Sequence, residues 1–138
     1  YTITVDDTWT ETSGTFVKEV EAWRIGRPLD GFAANVNVLT QDALGKDLQE
    51  YMDFSAENMG AFQLIDHQIV EGVGGHELGL LEYTGSVNTG AGTRQLHFLA
   101  TVDVIDGQAV VATLTTDEGG FLAEQAVVEP YLLSLRST

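Results

Sequence analysis

The chain has no cysteine, only two prolines, and only six lysines and arginines against 21 aspartates and glutamates. Without cysteine there is no disulfide framework, no thiol nucleophile and no thiolate metal site, and the chain is indifferent to redox compartment. The scarcity of base is the compositional outlier. It leaves a formal net charge of −15, with Lys18 and Lys46 the only lysines. Such a field repels nucleic acid and anionic membranes, which recruit proteins through Lys and Arg, and attracts cations or basic partners. The plainest reading is a solvated acidic surface that keeps the protein soluble, and adaptation to high salt would leave the same pattern. Long apolar runs are lacking too: none approaches the roughly 20 residues of a membrane helix. With no repeat, no low-complexity tract and no linker, residues 1–138 are expected to form a single domain, long enough to bury a core. Because the sequence begins at Tyr1 rather than Met, a trimmed or processed start is expected, which is compatible with a preceding signal peptide or lipid anchor.

What is present is a regular succession of short alternating segments. Tyr1 to Val5 alternates and is expected to start a sheet, with a turn at Asp6-Asp7-Thr8. Phe16 to Ile25 reads as a strand, and Arg27 to Gly31 as a loop. Phe32 to Thr40 alternates cleanly, putting Phe32, Ala34, Val36 and Val38 on one face and Asn35, Asn37 and Leu39 on the other. Asp47 followed by Glu50 predicts a helix start with a capping-box pair. Leu48, Tyr51, Met52, Ser55 and Met59 then share a helix face, and Gly60 is a plausible stop.

Strands are predicted at Leu64 to Val70, Glu77 to Val87, Arg94 to Ile105 and Gln108 to Thr116. Gly72 to Gly75 reads as a flexible turn and Asn88 to Thr93 as a Gly-rich hairpin loop. Asp106-Gly107 is the strongest hairpin signal in the chain. A closing helix, capped at Thr116 or Asp117, should run over Asp117 to Arg136 with Phe121, Leu122, Val128, Leu132 and Leu135 as its apolar stripe. Pro130 should kink or break it, because proline has no amide to donate.

The order β-β-β-α-β-β-β-β-α with short hairpins predicts an α+β fold around a mostly antiparallel sheet. The two last strands are apolar on both faces: Leu96, Phe98, Ala100 and Val102 against Leu99 and Ile105, and Val110, Ala112 and Leu114 against Ala109 and Val111. Strands buried on both sides need a layer above and a layer below, so the two main helices should flank the sheet as an α/β/α sandwich.

Three segments carry a family resemblance: Ala34-Asn35-Val36-Asn37-Val38 followed by Asp47-Leu48-Gln49-Glu50-Tyr51; Leu81-Glu82-Tyr83-Thr84-Gly85; and Ala109 to Thr115 followed by the Phe121 helix ending Leu133-Ser134-Leu135-Arg136. Over residues 32–136 the chain resembles the PsbP-like superfamily, which includes the photosystem II extrinsic subunit PsbP, the Ran-binding Mog proteins and bacterial lipoproteins of the LpqN type. The resemblance implies a non-enzymatic binding or accessory role toward a protein partner, an ion or a small ligand. It carries no catalytic motif and no cofactor. Its lipoprotein branch implies an extracellular or envelope-anchored location, with a cytoplasmic one as the alternative. The lipidated cysteine of that branch is absent here.

Catalytic chemistry finds little support in the residues. His67, His76 and His97 form no metal-binding pair by spacing, although Asp66, His67, Glu71 and His76 could converge across a strand and turn. No GxSxG, P-loop, GxGxxG or EF-hand pattern occurs, and carboxylate pairs are expected by chance in so acidic a chain. Trp9 and Trp23 read as core or strand-end cover in preference to a stacking platform. The features with binding potential are Asn35 and Asn37, two amides on one face of an inner strand, where buried amides require partners. They either satisfy neighbouring loop backbone or line a ligand groove with Tyr83 and His97. The alternative function is an interaction subunit whose acidic surface docks a basic partner or gathers divalent cations; a hydrolase is the third reading.

Overall fold

The computed structural model describes residues 1–4, 10–11, 20–24, 34–89 and 92–136. Seven strands form one sheet in the order β1-β2-β3-β7-β6-β5-β4, with every neighbouring pair antiparallel. They are β1 (Thr10–Glu11), β2 (Val20–Arg24), β3 (Asn35–Asp42), β4 (Gln63–Glu71), β5 (Glu77–Thr89), β6 (Gly92–Ile105) and β7 (Gln108–Asp117). Helix α1 (Leu48–Glu57) joins β3 to β4, and helix α2 (Phe121–Leu132) closes the fold. The expected turn at Asp6-Asp7-Thr8, the loop at Arg27 to Gly31, and Trp9 lie outside the described residues.

Local sequence explains the strongest elements. Asp106 and Gly107 both take positive φ, 50° and 77°, as a two-residue hairpin turn with right-handed strand twist requires. The Gly107 carbonyl also accepts from the Ala43 amide at 2.8 Å, which fixes the exit of β3 against that turn. At the start of α1 the Asp47 carboxylate accepts from the Glu50 amide at 2.8 Å while Glu50 accepts from the Asp47 amide at 3.2 Å. That reciprocal pair is the expected capping box. Helix α1 ends at Glu57, capped at Asn58, just before the expected stop at Gly60.

Strand alternation then divides the core in two. Val36, Val38, Leu78, Leu80, Leu99, Val110, Ala112 and Leu114 point to one face and meet Phe121, Val128, Leu132 and Leu135. Leu81, Ala100, Val102 and Ala109 point to the other and meet Tyr51 and Met52 of α1. The helices therefore cover opposite faces, and the fold is the α/β/α sandwich that the doubly apolar strands require. Four antiparallel steps separate β3 from β4, so those two strands run parallel. Helix α1 is the crossover between them, spanning the sheet above β5 and β6.

Three local expectations are corrected. Leu122 is not part of the inward stripe; it is 79% exposed, because Phe121 already points inward and its neighbour is turned about 100° away. Pro130 does not break the helix, which runs on to Leu132, with the Leu133 amide donating to the Glu129 carbonyl at 2.9 Å. The segment expected to open the sheet instead bridges the end of the chain: Thr2 exchanges backbone hydrogen bonds of 2.8 and 2.9 Å with Arg136.

Candidate functional site

The crossover leaves a cleft. Helix α1 packs over β4, β5 and β6, and on its open side a groove of about 670 Å³ runs between the helix and the sheet. Asn37, Leu39 and Gln41 of β3 and Val111, Thr113 and Thr115 of β7 form one part of its floor. Phe98, Ala100 and Val102 of β6 with Leu81 and Tyr83 of β5 form the other. Tyr51, Phe54, Ser55, Asn58 and Met59 of α1 and its C-terminal end make the wall. Each strand contributes every second residue, as a single sheet face must.

The cleft has two chemically distinct parts. Across the β3–β7 ladder Asn37 stands opposite Thr113, which places an amide, two hydroxyls and Gln41 along one stripe. The Gln41 amide donates to the Tyr51 hydroxyl and ties the stripe to the helix. The other part is aromatic. Tyr83 stacks on Phe98 with centroids 4.7 Å apart and planes 11° from parallel, and Phe62 meets both edge-on at 5.6 and 5.5 Å. Burial pushes the Tyr83 phenol above its ordinary pKa, so at neutral pH it is a hydrogen-bonding group and not an anion.

Two glycines on β5 shape this face. A Cβ at Gly79 would collide with the Met52 side chain, and one at Gly85 with the Phe62 ring. Their spacing of six puts both on the groove face with Leu81 and Tyr83, so helix and loop side chains seat directly on the strand.

The structure brings Asn37 and Tyr83 into one groove. Asn35 lies on the same face of β3, paired with Thr115, but does not itself line the cavity. His97 is separated from the other three by the sheet itself. Phe98 is the β6 residue opposite Tyr83, and it faces the groove, so its neighbour His97 faces α2. There His97 is 7% exposed and stacks on Phe121, with centroids 3.4 Å apart. Its Nε2 lies 2.8 Å from Glu82 and its Nδ1 3.1 Å from Glu118. Both ring nitrogens thus lie within hydrogen-bond distance of a carboxylate. This arrangement joins β5 to the start of α2.

Sequence reasoning missed Phe98, Gln41, Thr113 and Thr115. The two threonines share strand parity with Val111, but only the β3–β7 register places them beside Asn37. The histidines and acids considered as a convergent cluster disperse: His67 lies 3.8 Å from Asp53 of α1, and His76 lies 2.9 Å from the buried Asp103. Among the described residues no group of three or more histidines and carboxylates is arranged to hold a metal ion. No described helix is long and apolar enough to cross a membrane.

No protein-family model matches the chain, and no curated protein matches it. Solved structures do. A Pseudomonas aeruginosa protein of unknown function superposes with a TM-score of 0.71 at 14% identity, covering 94% of this chain and 97% of its own. LpqN of Mycobacterium tuberculosis, involved in cell envelope biogenesis, gives 0.59 at 13% identity, over 95% of this chain and 79% of its own. The cyanobacterial PsbP of Synechocystis gives 0.53 at 17% identity, over 94% and 92%. At these identities the likeness establishes the fold, which is the PsbP-like one.

Proposed function

We propose that the chain is a non-catalytic binding module that holds a small, uncharged, partly apolar ligand in the groove beneath α1. One observation carries this reading: a stacked aromatic and aliphatic surface lies beside a stripe of amide and hydroxyl groups on the floor of a single cavity of about 670 Å³. That combination suits small-molecule sites, where apolar walls supply affinity and a few polar groups set orientation. Asn37 offers both a donor and an acceptor, Thr113 and Thr115 offer hydroxyls, and Phe98 and Tyr83 offer a flat apolar surface. Asp42 is the only acidic lining residue and none is basic, so the ligand is neutral where it meets the stripe. A location at the cell envelope or outside the cell is part of the proposal, supported by the likeness to LpqN.

The test is native mass spectrometry of the protein purified from its own source, alongside Asn37→Ala and Phe98→Ala variants. A reproducible small-molecule adduct, absent from both variants while their circular dichroism is unchanged, is the expected result. An adduct retained by both variants moves the site elsewhere. A bare mass, with no neutral amphipathic molecule retained after incubation in source extract, overturns the reading.

A further inference from the structure

Helix α2 is apolar on the side it turns to solvent. Phe121, Val128 and Leu132 point into the core. At about 100° per residue the opposite half of the helix carries Leu122, Ala123, Ala126, Val127 and Pro130. All five are exposed, Leu122 at 79% and Val127 at 52%. The polar residues Glu124, Gln125 and Glu129 sit half-buried at the flanks of the core face. This reverses the usual pattern of a surface helix, whose solvent side is polar. Beside the strip, a groove of about 390 Å³ lies between α2 and the Glu71–Val73 segment, where Val73 is 57% exposed. Its two ionisable lining residues are Glu71 and Glu129, both acids. Nearby Arg136 donates its guanidinium to the Val73 carbonyl at 2.7 Å.

We propose that this strip and groove dock a cationic amphipathic helix of a partner protein. Short side chains at Ala123 and Ala126 admit a second helix to the roughly 8–10 Å interaxial distance of packed helices. Leu122, Val127 and Val73 supply the apolar contact, and Glu71 and Glu129 face lysines or arginines at its edge. Charge selects the occupant: a second copy of this chain brings another −15 against the same acidic rim, whereas a basic helix is drawn in. The surface lies across the sheet from the ligand groove and is independent of it.

The experiment uses the full chain and a synthetic helical peptide with leucines on one face and lysines on the other, read by fluorescence anisotropy at low and physiological salt. Its counterpart with glutamates in place of lysines is the control. Binding is expected for the lysine peptide alone. It should weaken roughly tenfold, about the effect of removing one or two apolar contacts, in the Leu122→Glu/Val127→Glu variant and in Ala126→Glu. These substitutions make the protein more acidic, so simple charge attraction would hold or strengthen binding. Unchanged or tighter binding by both folded variants overturns the proposal. So does a dimer in sedimentation that Leu122→Glu/Val127→Glu disperses, because the occupant would then be a second copy.

Discussion

Burial gives Glu124 a pH dependence whose sign follows from linkage. Its carboxyl is held above the ordinary glutamate pKa by desolvation. Between that ordinary value and the raised one, the folded chain holds a proton that the unfolded chain has lost. The group's contribution is therefore most favourable below the ordinary value, and it declines as pH rises through the folded pKa. Glu124→Gln is expected to raise the melting temperature at pH 7 and to change it little at pH 3. Thermal melts at both values check this, and an equal shift at both would exclude the mechanism. The β5 glycines act by shape instead. Gly85→Ala should cost about 1–3 kcal/mol by forcing Phe62 off the strand, measurable by urea unfolding. Adding Phe62→Leu should recover part of that loss. If Gly85→Ala proves neutral, the close approach of ring and strand is not a constraint.

Elements differ in how far they could be read ahead of the structure, and the reasons are physical. The capping pair Asp47 and Glu50, the turn Asp106-Gly107 and the Val36/Val38 face are visible in sequence because each depends on residues within one turn or one strand. Asp47→Ala is accordingly expected to destabilise by about 1 kcal/mol, read by chemical denaturation, with Glu50→Gln keeping more of the cap than Glu50→Ala. The groove was legible only in part. Asn37 and Tyr83 stand out as polar residues on inner strands, but their partner in space depends on register, which pairs Tyr83 with Phe98 and turns His97 away. No local pattern states how a crossover helix lies over a sheet, so the cleft beside α1 could not be foreseen. In α2 the adjacent Phe121 and Leu122 cannot share a face. Apolar residues on both the core side and the solvent side of the helix hid which of them is inward.

Across the whole molecule, charge outweighs any single contact. Fifteen excess negative charges repel one another more in the compact state than in the expanded one, so added NaCl should raise the melting temperature through screening. A melting temperature flat between low and physiological salt would mean the acids are already balanced by spacing or pairing. A last consequence comes from the bridge between Thr2 and Arg136, reinforced by the Thr4 amide donating to Ser134 at 2.8 Å. Tyr1 and Ile3 pack against the core on the α2 side of the sheet. A tether attached beside residue 1 and one attached beside residue 136 would therefore pull from the same spot. That spot is on the side of the sheet opposite the cleft under α1, so either tether would leave the cleft unobstructed.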